Sequence, residues 1–573
     1  MSKEPIDLEK IKICRNENAE YGEKDYYSKR LNLSVSTWLK LYEQQISVEY
    51  RARLRDVSIL MAKEFRGDNV YISEHGSFNT KFAASAPYYF FLTSVDNAEL
   101  THNQPYSVAF HEIIDYTTGE LIDSLHINFM AEMLWLINEY MLAVQVPKMT
   151  VLYGSWLDPD MMYEIPFDIE FVNVEMSEFG CHHSKISIFK YTGDKIRIMI
   201  SSSNIYAEDW QSRTQGLWIS PFLPLLPEDA NESDGESPTN FKRDFLQYLS
   251  MYNQPEVFGW SALIHRADCS AINVFFIASV PGHHDGSSLD TWGHRKLAAL
   301  LSAHASLPSD AQKWPVIAQS SSVGVFGPDY QSWLSSSIVR TMSKEKDKKI
   351  IIFPEFKFIY PSKNNYNQSY DNQIGSSCLM YNEQNYLKQQ WLKDYLYQWK
   401  SDKIGRTQAM PHLKCYTRIS PDESEMAWFF LTSANLSKGA MGKMLRNCTV
   451  QTLCNYEAGV LFLPQFILNQ NTFPLKEPLS PEAPIFLLPY DLPLTPYEPN
   501  DEPYVTIIPA DAIEAEPIQT PDTAIDSQNL EKVMDVDENP VPDISEETSN
   551  LEEGKNPNEI SESEHLTITE VIE

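Results

Sequence analysis

The sequence predicts an α/β protein built from two similar halves, each a mixed sheet flanked by helices. Two observations favour this fold class, and a third marks where the folded part ends. From Pro87 to about Pro509, aromatic and β-branched runs alternate with stretches of helical periodicity, which is typical of α/β proteins. A pattern centred on a histidine occurs twice, 229 residues apart. The last residues have the composition of a disordered chain. We therefore expect an N-terminal extension (1–84), a first half (85–272), a second half (273–508) and a disordered acidic tail (509–573).

The charge of the chain is strongly acidic and unevenly distributed. Its 573 residues include 79 acidic and 46 basic side chains, which give a formal net charge of −33. Residues 511–573 carry 19 acids and two bases, and so contribute −17 of that total. The composition excludes a protein that holds nucleic acid through overall positive charge. Any nucleic-acid site must be a local basic groove.

Cysteine usage and hydropathy indicate a soluble intracellular protein. The seven cysteines are odd in number, scattered and without a CxxC pair, which argues against a disulfide framework or a zinc site. The paired His283 and His284 lack a third metal ligand at suitable spacing. The most apolar stretch, Leu125 to Val146, contains Glu132 and Glu139, so we expect a buried amphipathic helix and no membrane span.

Outside the repeated pattern, three segments are assigned from local composition. The N-terminal extension is charged and mixed, with one helical stretch around Val48 to Phe65. This helix could pack on the body of the protein or on a partner. Pro227 to Thr239 is acidic and contains proline, glycine and serine, and Lys344 to Lys349 is a run of charges. Both are expected to be surface loops.

The internal repeat is the feature on which the functional prediction depends. Its members are His183, Lys185 and Asn204 in the first copy and His412, Lys414 and Asn435 in the second. Each copy is predicted as strand, turn, strand and a polar loop that ends in the asparagine. In a strand, residues i and i+2 share a face, so the histidine and lysine of each copy project together. A pseudo-twofold axis would bring both copies to one seam.

Two imidazoles, two ammonium groups and two amides suit phosphodiester chemistry without a metal or another cofactor. Lysine and asparagine side chains can stabilise the charge that develops on the phosphate oxygens. One histidine can attack phosphorus while the other first donates a proton and then accepts one from water. A single histidine–lysine motif is weak and is more often structural. Two copies, each followed by an asparagine at the end of an apolar strand, favour catalysis over core packing.

With these motifs the sequence resembles the phospholipase D superfamily and, within it, the tyrosyl-DNA phosphodiesterases that act on DNA 3′ ends. The matching segments are 179–185, 203–204, 209–218, 235–239, 319–324, 409–414, 432–438, 456–464 and 489–493. The broad superfamily has an aspartate five residues after the lysine, where this chain has Lys190 and Ile419. That departure is the mark of the tyrosyl-DNA branch. The resemblance spans about 85–508 and implies a phospholipase D-like fold with its active site at the seam.

The resemblance also implies a role for each site residue. It makes His183 the nucleophile, and His412 the acid that protonates the leaving phenol and then the base that activates water. The phosphate would be bound by Lys185, Lys414, Asn204 and Asn435. Gln215 and Glu457 match the residues that orient the two histidines, but which of them contacts which histidine is left open. The mechanism requires both imidazoles to lie near one phosphorus atom and to be reachable from solvent.

Further residues resemble the family's DNA-binding groups. They are Ser321, Ser322 and the turn Val323-Gly324-Val325 on one side, and Ser437 and Lys438 on the other. Hydroxyls, backbone N–H groups and a few cations would bind the DNA backbone, and affinity should fall as salt rises. Single-stranded or frayed 3′ ends should be preferred, because the joint must enter a narrow cleft.

The sequence therefore predicts a monomeric DNA repair hydrolase that needs no metal. It would cleave the bond between a DNA 3′ end and a topoisomerase I-derived tyrosyl peptide, as in single-strand break repair, and would leave a 3′-phosphate. Other 3′ adducts would be removed in an exonuclease-like manner. Two alternatives stay open: another phospholipase D-type phosphodiesterase or nuclease, and a non-catalytic module that binds DNA ends. Residence in the nucleus follows from the expected substrate only.

Overall fold

The structure of the protein is a computed structural model. It describes residues 38–40, 42–43, 48–67, 69–157, 167–231, 233–308, 310–348, 352–481 and 483–507. The predicted acidic tail (509–573) and residues 1–37 of the predicted extension lie outside this part of the chain.

The helices of the described residues lie mainly before, between and beside the strands. The α-helices are α1 (Val48–Arg66), α2 (Ser77–Ala84), α3 (Phe110–Ile113), α4 (Met133–Leu142), α5 (Ala207–Gln211), α6 (Phe241–Ser250), α7 (Pro255–His265), α8 (Gly293–His304), α9 (Arg340–Met342), α10 (Lys363–Asn367), α11 (Tyr370–Gln373), α12 (Glu383–Lys388), α13 (Lys438–Met441) and α14 (Pro464–Ile467). A π-helix spans Gln331–Val339, and 3₁₀ turns span Glu99–Thr101, Tyr116–Thr118, Gly286–Ser288, Ala311–Lys313 and Gln390–Tyr395. Helix α1 confirms the helical stretch predicted in the N-terminal extension. None of the helices in the described ranges is long and apolar enough to cross a bilayer.

The described residues of the first half contain a nine-stranded mixed sheet. Its strands are β1 (Phe90–Thr93), β2 (Ser107–Val108), β3 (Leu121–Ala131), β4 (Lys148–Leu157), β5 (Ile169–Asn173), β6 (Ile186–Tyr191), β7 (Lys195–Ser201), β8 (Gly216–Ile219) and β9 (Leu223–Pro224). They are ordered β2-β1-β8-β7-β6-β3-β4-β5, and β9 pairs with β7. The β1–β2, β3–β4 and β4–β5 pairs are parallel, and the other pairs are antiparallel.

The second half contains an eight-stranded sheet and a small three-stranded sheet. The strands are β10 (Phe275–Ser279), β11 (Gly282–Asp285), β12 (Val316–Gln319), β13 (Phe356–Ile359), β14 (Leu396–Tyr397), β15 (Lys414–Ile419), β16 (Glu425–Thr432), β17 (Lys443–Leu445), β18 (Val450–Leu453), β19 (Glu457–Phe462) and β20 (Phe473–Pro474). The larger sheet is ordered β10-β19-β16-β15-β12-β13-β14, with β20 on β16, and the smaller one is β11-β18-β17.

The two large sheets repeat one pairing scheme. The order β1-β8-β7-β6-β3-β4-β5 corresponds strand for strand to β10-β19-β16-β15-β12-β13-β14. Each corresponding pair also has the same direction: the hairpins β6–β7 and β15–β16 are antiparallel, and the outer pairs β4–β5 and β13–β14 are parallel. This confirms the predicted pair of similar mixed-sheet halves. The boundary predicted at residues 272 and 273 falls in the connection between α7 and β10.

One predicted element is wrong in its first part. The stretch Leu125 to Val146 was expected to be a single buried helix, but strand β3 continues to Ala131 and helix α4 begins only at Met133. Strand β3 lies inside the sheet between β4 and β6. A strand covered on both faces has a continuous apolar run, which periodicity alone does not distinguish from a buried helix.

The two halves share one apolar core. Phe90 of β1 contacts Phe429 of β16 and Phe462 of β19, with ring centroids 5.3 and 6.2 Å apart. A Cβ atom at Gly216, the first residue of β8, would lie 2.7 Å from Cδ1 of Leu431. The absence of a side chain there lets the start of β8 approach β16. This contact places the ends of both repeated hairpins at the seam between the sheets.

Candidate active site

Both histidine–lysine motifs lie immediately before the hairpins that they were expected to belong to. Strand β6 begins at Ile186, after Lys185, and β15 begins at Lys414. The sequence placed both histidines within their strands, but the strands begin three residues after His183 and two residues after His412. The N–H of His183 donates to the carbonyl of Tyr456 (2.9 Å), and that of His412 to the carbonyl of Thr214 (3.0 Å). Each motif is thus fixed by backbone bonds to the opposite half.

The imidazole of His183 is oriented by a carboxylate of the second half. Its Nδ1 lies 2.9 Å from Oε2 of Glu457, the first residue of β19. Glu457 also accepts hydrogen bonds from the hydroxyl of Ser433 (2.5 Å) and the amide of Asn455 (3.1 Å). His183 lies just before β6, Ser433 just after β16, Asn455 just before β19 and Glu457 at the start of β19. The carboxylate can only accept, so Nδ1 of His183 carries the proton and Nε2 is directed away from the pair.

Electrostatics keep this pair as a neutral imidazole beside a carboxylate. Burial lowers the pKa of His183; the charge of Glu457 opposes this effect, and those of Lys185 and Lys414 add to it. Burial raises the pKa of Glu457, but His183, Lys185 and Ser433 more than offset it, so that the pKa lies below its usual value. Near neutral pH, Nε2 of His183 consequently has a free lone pair.

The imidazole of His412 is held by two groups of the first half. Its Nδ1 lies 2.8 Å from the amide of Gln215 and 3.0 Å from Oδ2 of Asp209. Nδ1 faces a donor, the NH₂ group of Gln215, and an acceptor, the carboxylate of Asp209. It therefore accepts from Gln215 when Nδ1 is unprotonated and donates to Asp209 when Nδ1 carries a proton, and Nε2 is left for a substrate. Gln215 immediately precedes β8 and Glu457 begins β19, which are corresponding strands of the two halves. Each half therefore positions the histidine of the other, a pairing that the sequence left open.

Asp209 was missed in the sequence, and it is part of a larger buried network. Its Oδ1 accepts from Nη1 of Arg213 (2.9 Å), and Oδ2 accepts from the backbone N–H of Asn204 (2.7 Å). Nε of Arg213 donates to Asp371 of the second half (3.1 Å) and Nη2 to the hydroxyl of Ser376 (2.7 Å). Burial disfavours the charge of Arg213, but Tyr206 and the two carboxylates raise its pKa overall. Arg213 thus forms a buried ion pair with the carboxylate that contacts His412.

The two lysines adopt matching positions. Nζ of Lys185 donates to the carbonyl of His183 (2.8 Å), and Nζ of Lys414 to the carbonyl of His412 (2.7 Å). Each ammonium group is therefore held next to its own histidine. Phe129 of β3 was also missed in the sequence. The centre of its ring lies 5.6 Å from the centre of the His183 ring and 5.5 Å from Nζ of Lys185. It forms an apolar wall beside the proposed nucleophile.

The two asparagines differ in what surrounds their amides. The side-chain oxygen of Asn435 accepts from the hydroxyls of Ser320 (3.0 Å) and Ser321 (3.3 Å) and from the N–H of Ser322 (3.0 Å). Its NH₂ group is thereby turned outwards as a donor. The amide of Asn204 is buried, and neither of its polar atoms has a partner among the described residues. Because such a group is costly to bury alone, it fits a site that is completed by a polar ligand.

Only some of the predicted DNA-binding residues have groups that are left to contact DNA. The N–H of Val323 donates to the carbonyl of Met380 (2.9 Å) and that of Gly324 to Leu436 (3.2 Å), so these two groups are not left for DNA. The hydroxyl of Ser437 caps helix α13 by accepting from the N–H of Ala440. Ser321 is buried on Asn435, whereas Ser322, Val325 and Lys438 are half-exposed. We expected the backbone N–H groups of this turn to bind DNA, but those of Val323 and Gly324 are bonded within the protein.

The site is nearly closed to bulk water. The exposed fraction is 6% for His183 and 1% for His412. Both side chains are therefore buried, and the expectation that both imidazoles are reachable from solvent is wrong for His412 in this structure. Within the described ranges, no three His, Cys, Asp or Glu side chains are grouped as a metal site. His283 and His284 instead contact Thr452 and the carbonyl of Val280.

Comparison with known proteins relates the chain to one family. The sequence model of the tyrosyl-DNA phosphodiesterases matches residues 89–498. Tyrosyl-DNA phosphodiesterase 1 of Drosophila melanogaster is 42% identical over 457 residues, which cover 78% of each chain. A probable tyrosyl-DNA phosphodiesterase of Caenorhabditis elegans is 29% identical over 67% of this chain and 82% of its own.

A solved structure has the same fold. The crystal structure of the yeast tyrosyl-DNA phosphodiesterase superposes with a TM-score of 0.54 at 19% identity, over 73% of this chain and 99% of that one. This likeness confirms the phospholipase D-like fold that the resemblance implied.

Proposed function

The chain belongs to the tyrosyl-DNA phosphodiesterase family, and from this premise we propose that it hydrolyses the bond between a DNA 3′ phosphate and a tyrosine. The reaction passes through a covalent intermediate on His183 and removes the adduct as a step of DNA repair. The observation that carries the proposal is the His183–Glu457 pair, in which a buried carboxylate lies 2.9 Å from Nδ1 and so leaves Nε2 as the ring atom that can attack phosphorus.

In the first step, Nε2 of His183 donates its lone pair to phosphorus as the bond from phosphorus to the phenolic oxygen breaks. The phenolate takes the proton from Nε2 of His412, which enters this step as the imidazolium. Glu457 and Asp209 stabilise the positive charges on the two rings. The tyrosyl peptide leaves, and the DNA 3′ phosphate is bonded to His183.

In the second step, His412 acts as the base. Its Nε2 takes a proton from water while the water oxygen bonds to phosphorus. The phosphorus–nitrogen bond breaks, and its electrons return to Nε2 of His183. The DNA keeps a 3′-phosphate, and both histidines regain their starting states. Throughout, Lys185, Lys414, Asn204 and Asn435 bind the non-bridging oxygens, whose negative charge grows in each transition state.

The proposal is tested with a single-stranded oligonucleotide that carries a 3′-phosphotyrosine. In EDTA, the wild-type protein should release tyrosine and leave a 3′-phosphate, whereas phosphatidylcholine should not be cleaved. His183→Ala should abolish turnover, and His265→Ala, which changes a half-exposed histidine on α7, should not. Full activity of His183→Ala would overturn the assignment of the nucleophile. Tight binding of the DNA end without any hydrolysis would instead favour a non-catalytic binding module.

The partners and the location follow from the same reaction. We propose that the protein acts as a monomer on single-stranded or frayed DNA 3′ ends that carry a topoisomerase I-derived peptide, and that it works in the nucleus. Light scattering after gel filtration should give a mass near 65.8 kDa. A value of about twice that mass, or exclusion of the tagged protein from nuclei, would contradict these points.

A further inference from the structure

A basic hairpin lies next to the phosphate site. We use this name for residues 438–453, which comprise helix α13 and strands β17 and β18. It carries Lys438, Lys443 and Arg446. The surrounding stretch from 426 to 456 contains no aspartate or glutamate, although the chain has 79 acidic residues. The hairpin therefore carries three cations and no carboxylate of its own, and the neighbouring strand β11 adds one carboxylate, Asp285, opposite Val450.

The base of the hairpin is anchored at the active site. It begins three residues after Asn435 and ends four residues before Glu457. The N–H groups of Cys454 and Asn455 both donate to the carbonyl of Gly439, at 3.0 and 3.3 Å. The side chain of Asn455 also donates to Glu457. The two ends of the hairpin are thus closed against each other beside His183.

Exposure increases from the base of the hairpin to its tip. Ala440 and Met441 are buried, Lys443 is half-exposed, and residues 446–449 are exposed. Strand β17 pairs only with β18 among the described strands, so it forms an open edge. Along an extended strand, Arg446 lies about 10 Å beyond Lys443. The positive charges therefore extend away from the proposed phosphate site towards solvent.

The hairpin is also held in a fixed shape. Strand β18 pairs with β11, and the indole N–H of Trp333 donates to the carbonyl of Gly442 (3.0 Å). At the tip, three consecutive non-glycine residues have positive φ angles: Arg446 (50°), Asn447 (53°) and Cys448 (65°). Such backbone is sparsely populated for these residue types and concentrates at functional segments. The tip thus presents Arg446 in a defined position.

We propose that the basic hairpin binds the DNA backbone beyond the phosphate that is cleaved, with Lys443 and Arg446 each contacting a further phosphate. This inference rests on the proposed function and adds a second element to substrate recognition. Phosphates of one strand are about 3.4 Å apart along a duplex axis and farther apart in an extended single strand, so a reach of about 10 Å spans at most about three nucleotides. Substrates shorter than this should not reach Arg446.

The test compares two substrate lengths. Both substrates carry a 3′-phosphotyrosine, one on a single nucleoside, whose only phosphate is the one that is cleaved, and the other on a 12-mer. For Lys443→Ala/Arg446→Ala we expect kcat/KM on the 12-mer to fall about tenfold at low salt, with kcat unchanged. The plot of log kcat/KM against log salt should become less steep by about 0.7 for each lost contact. The double variant should cleave the single-nucleoside substrate as well as wild type does.

Controls separate this proposal from a folding defect and from a failure of the proposed function. Lys348→Ala/Arg243→Ala removes two exposed cations elsewhere and should change neither substrate. Binding of a 12-mer that ends in a 3′-phosphate, followed by fluorescence anisotropy, reports on the hairpin even if no hydrolysis is found. Equal losses on both substrate lengths, or unchanged kcat/KM and unchanged binding of the 12-mers, would overturn the proposal.

Discussion

The substitution Glu457→Gln tests the electrostatic role of the His183–Glu457 pair. Glutamine keeps an oxygen to accept the Nδ1–H, so the ring orientation is preserved and only the charge is lost. When Nε2 bonds to phosphorus, the ring becomes positively charged. Unit charges about 4 Å apart attract by about 4 kcal/mol at an effective dielectric constant of 20. With Nδ1 and Oε2 2.9 Å apart, we expect the first step to slow by about 10³-fold.

Rapid-quench measurements under single-turnover conditions isolate this step, since they follow the release of tyrosine from a 3′-phosphotyrosyl oligonucleotide. The charge of Glu457 also raises the pKa of His183, so the acid limb of the pH–rate profile should move to lower pH in the variant. Ser433→Ala is the matched control, because it removes one hydrogen bond to Glu457 (2.5 Å) and keeps the charge. It should cost about tenfold. A Glu457→Gln rate within tenfold of wild type, or an unmoved acid limb, would refute the reasoning.

Three further predictions concern the buried charges around the site. Asp209→Asn should slow the steps that use His412 by about 10²-fold and cause the covalent intermediate to accumulate. The absence of this intermediate from rapid-quench gels would contradict the prediction. Arg213→Met should lower the free energy of unfolding by about 3–5 kcal/mol in urea, since two buried carboxylates lose their partner; an unchanged midpoint would be inconsistent with it. Burial raises the pKa of Asp96 to about 7, so its protonation stabilises the fold at low pH and this stabilisation is lost as pH rises from about 4 through 7. Asp96→Asn should therefore be more stable than wild type by up to about 4 kcal/mol at pH 8 and equal to it near pH 4; a gain that is independent of pH would exclude this cause.

The repeated motif could be predicted from sequence because its chemistry restricts both residue type and spacing. His183 with Lys185 and His412 with Lys414 recur with the same downstream asparagine, and the strand–turn–strand pattern is local. The structure places these residues at the seam as expected. The repeat of sheet order in the two halves follows from the same duplication.

The contacts between the halves could not be predicted in the same way. Gln215 and Glu457 precede or begin corresponding strands, yet each contacts the histidine of the opposite half, which depends on how the two sheets pack. Asp209 lies in the first turn of a short helix, where an aspartate is common for local reasons. Its spacing of five residues after Asn204 was the signal available. Phe129 lay in a stretch assigned to a helix, so its position in the site was hidden by that error.

The central claim is that phosphorus becomes bonded to His183, and mapping of the covalent intermediate tests it most directly. His412→Asn lacks the acid and base, but a phenol with a pKa of about 10 can still leave, so the intermediate should form and persist. The variant is mixed with a 3′-phosphotyrosyl 12-mer, quenched in detergent at alkaline pH, digested and analysed by mass spectrometry. We predict a single DNA-linked peptide with the phosphate on His183. A phosphate on any other residue, or product formation by wild type without any adduct, would contradict the mechanism.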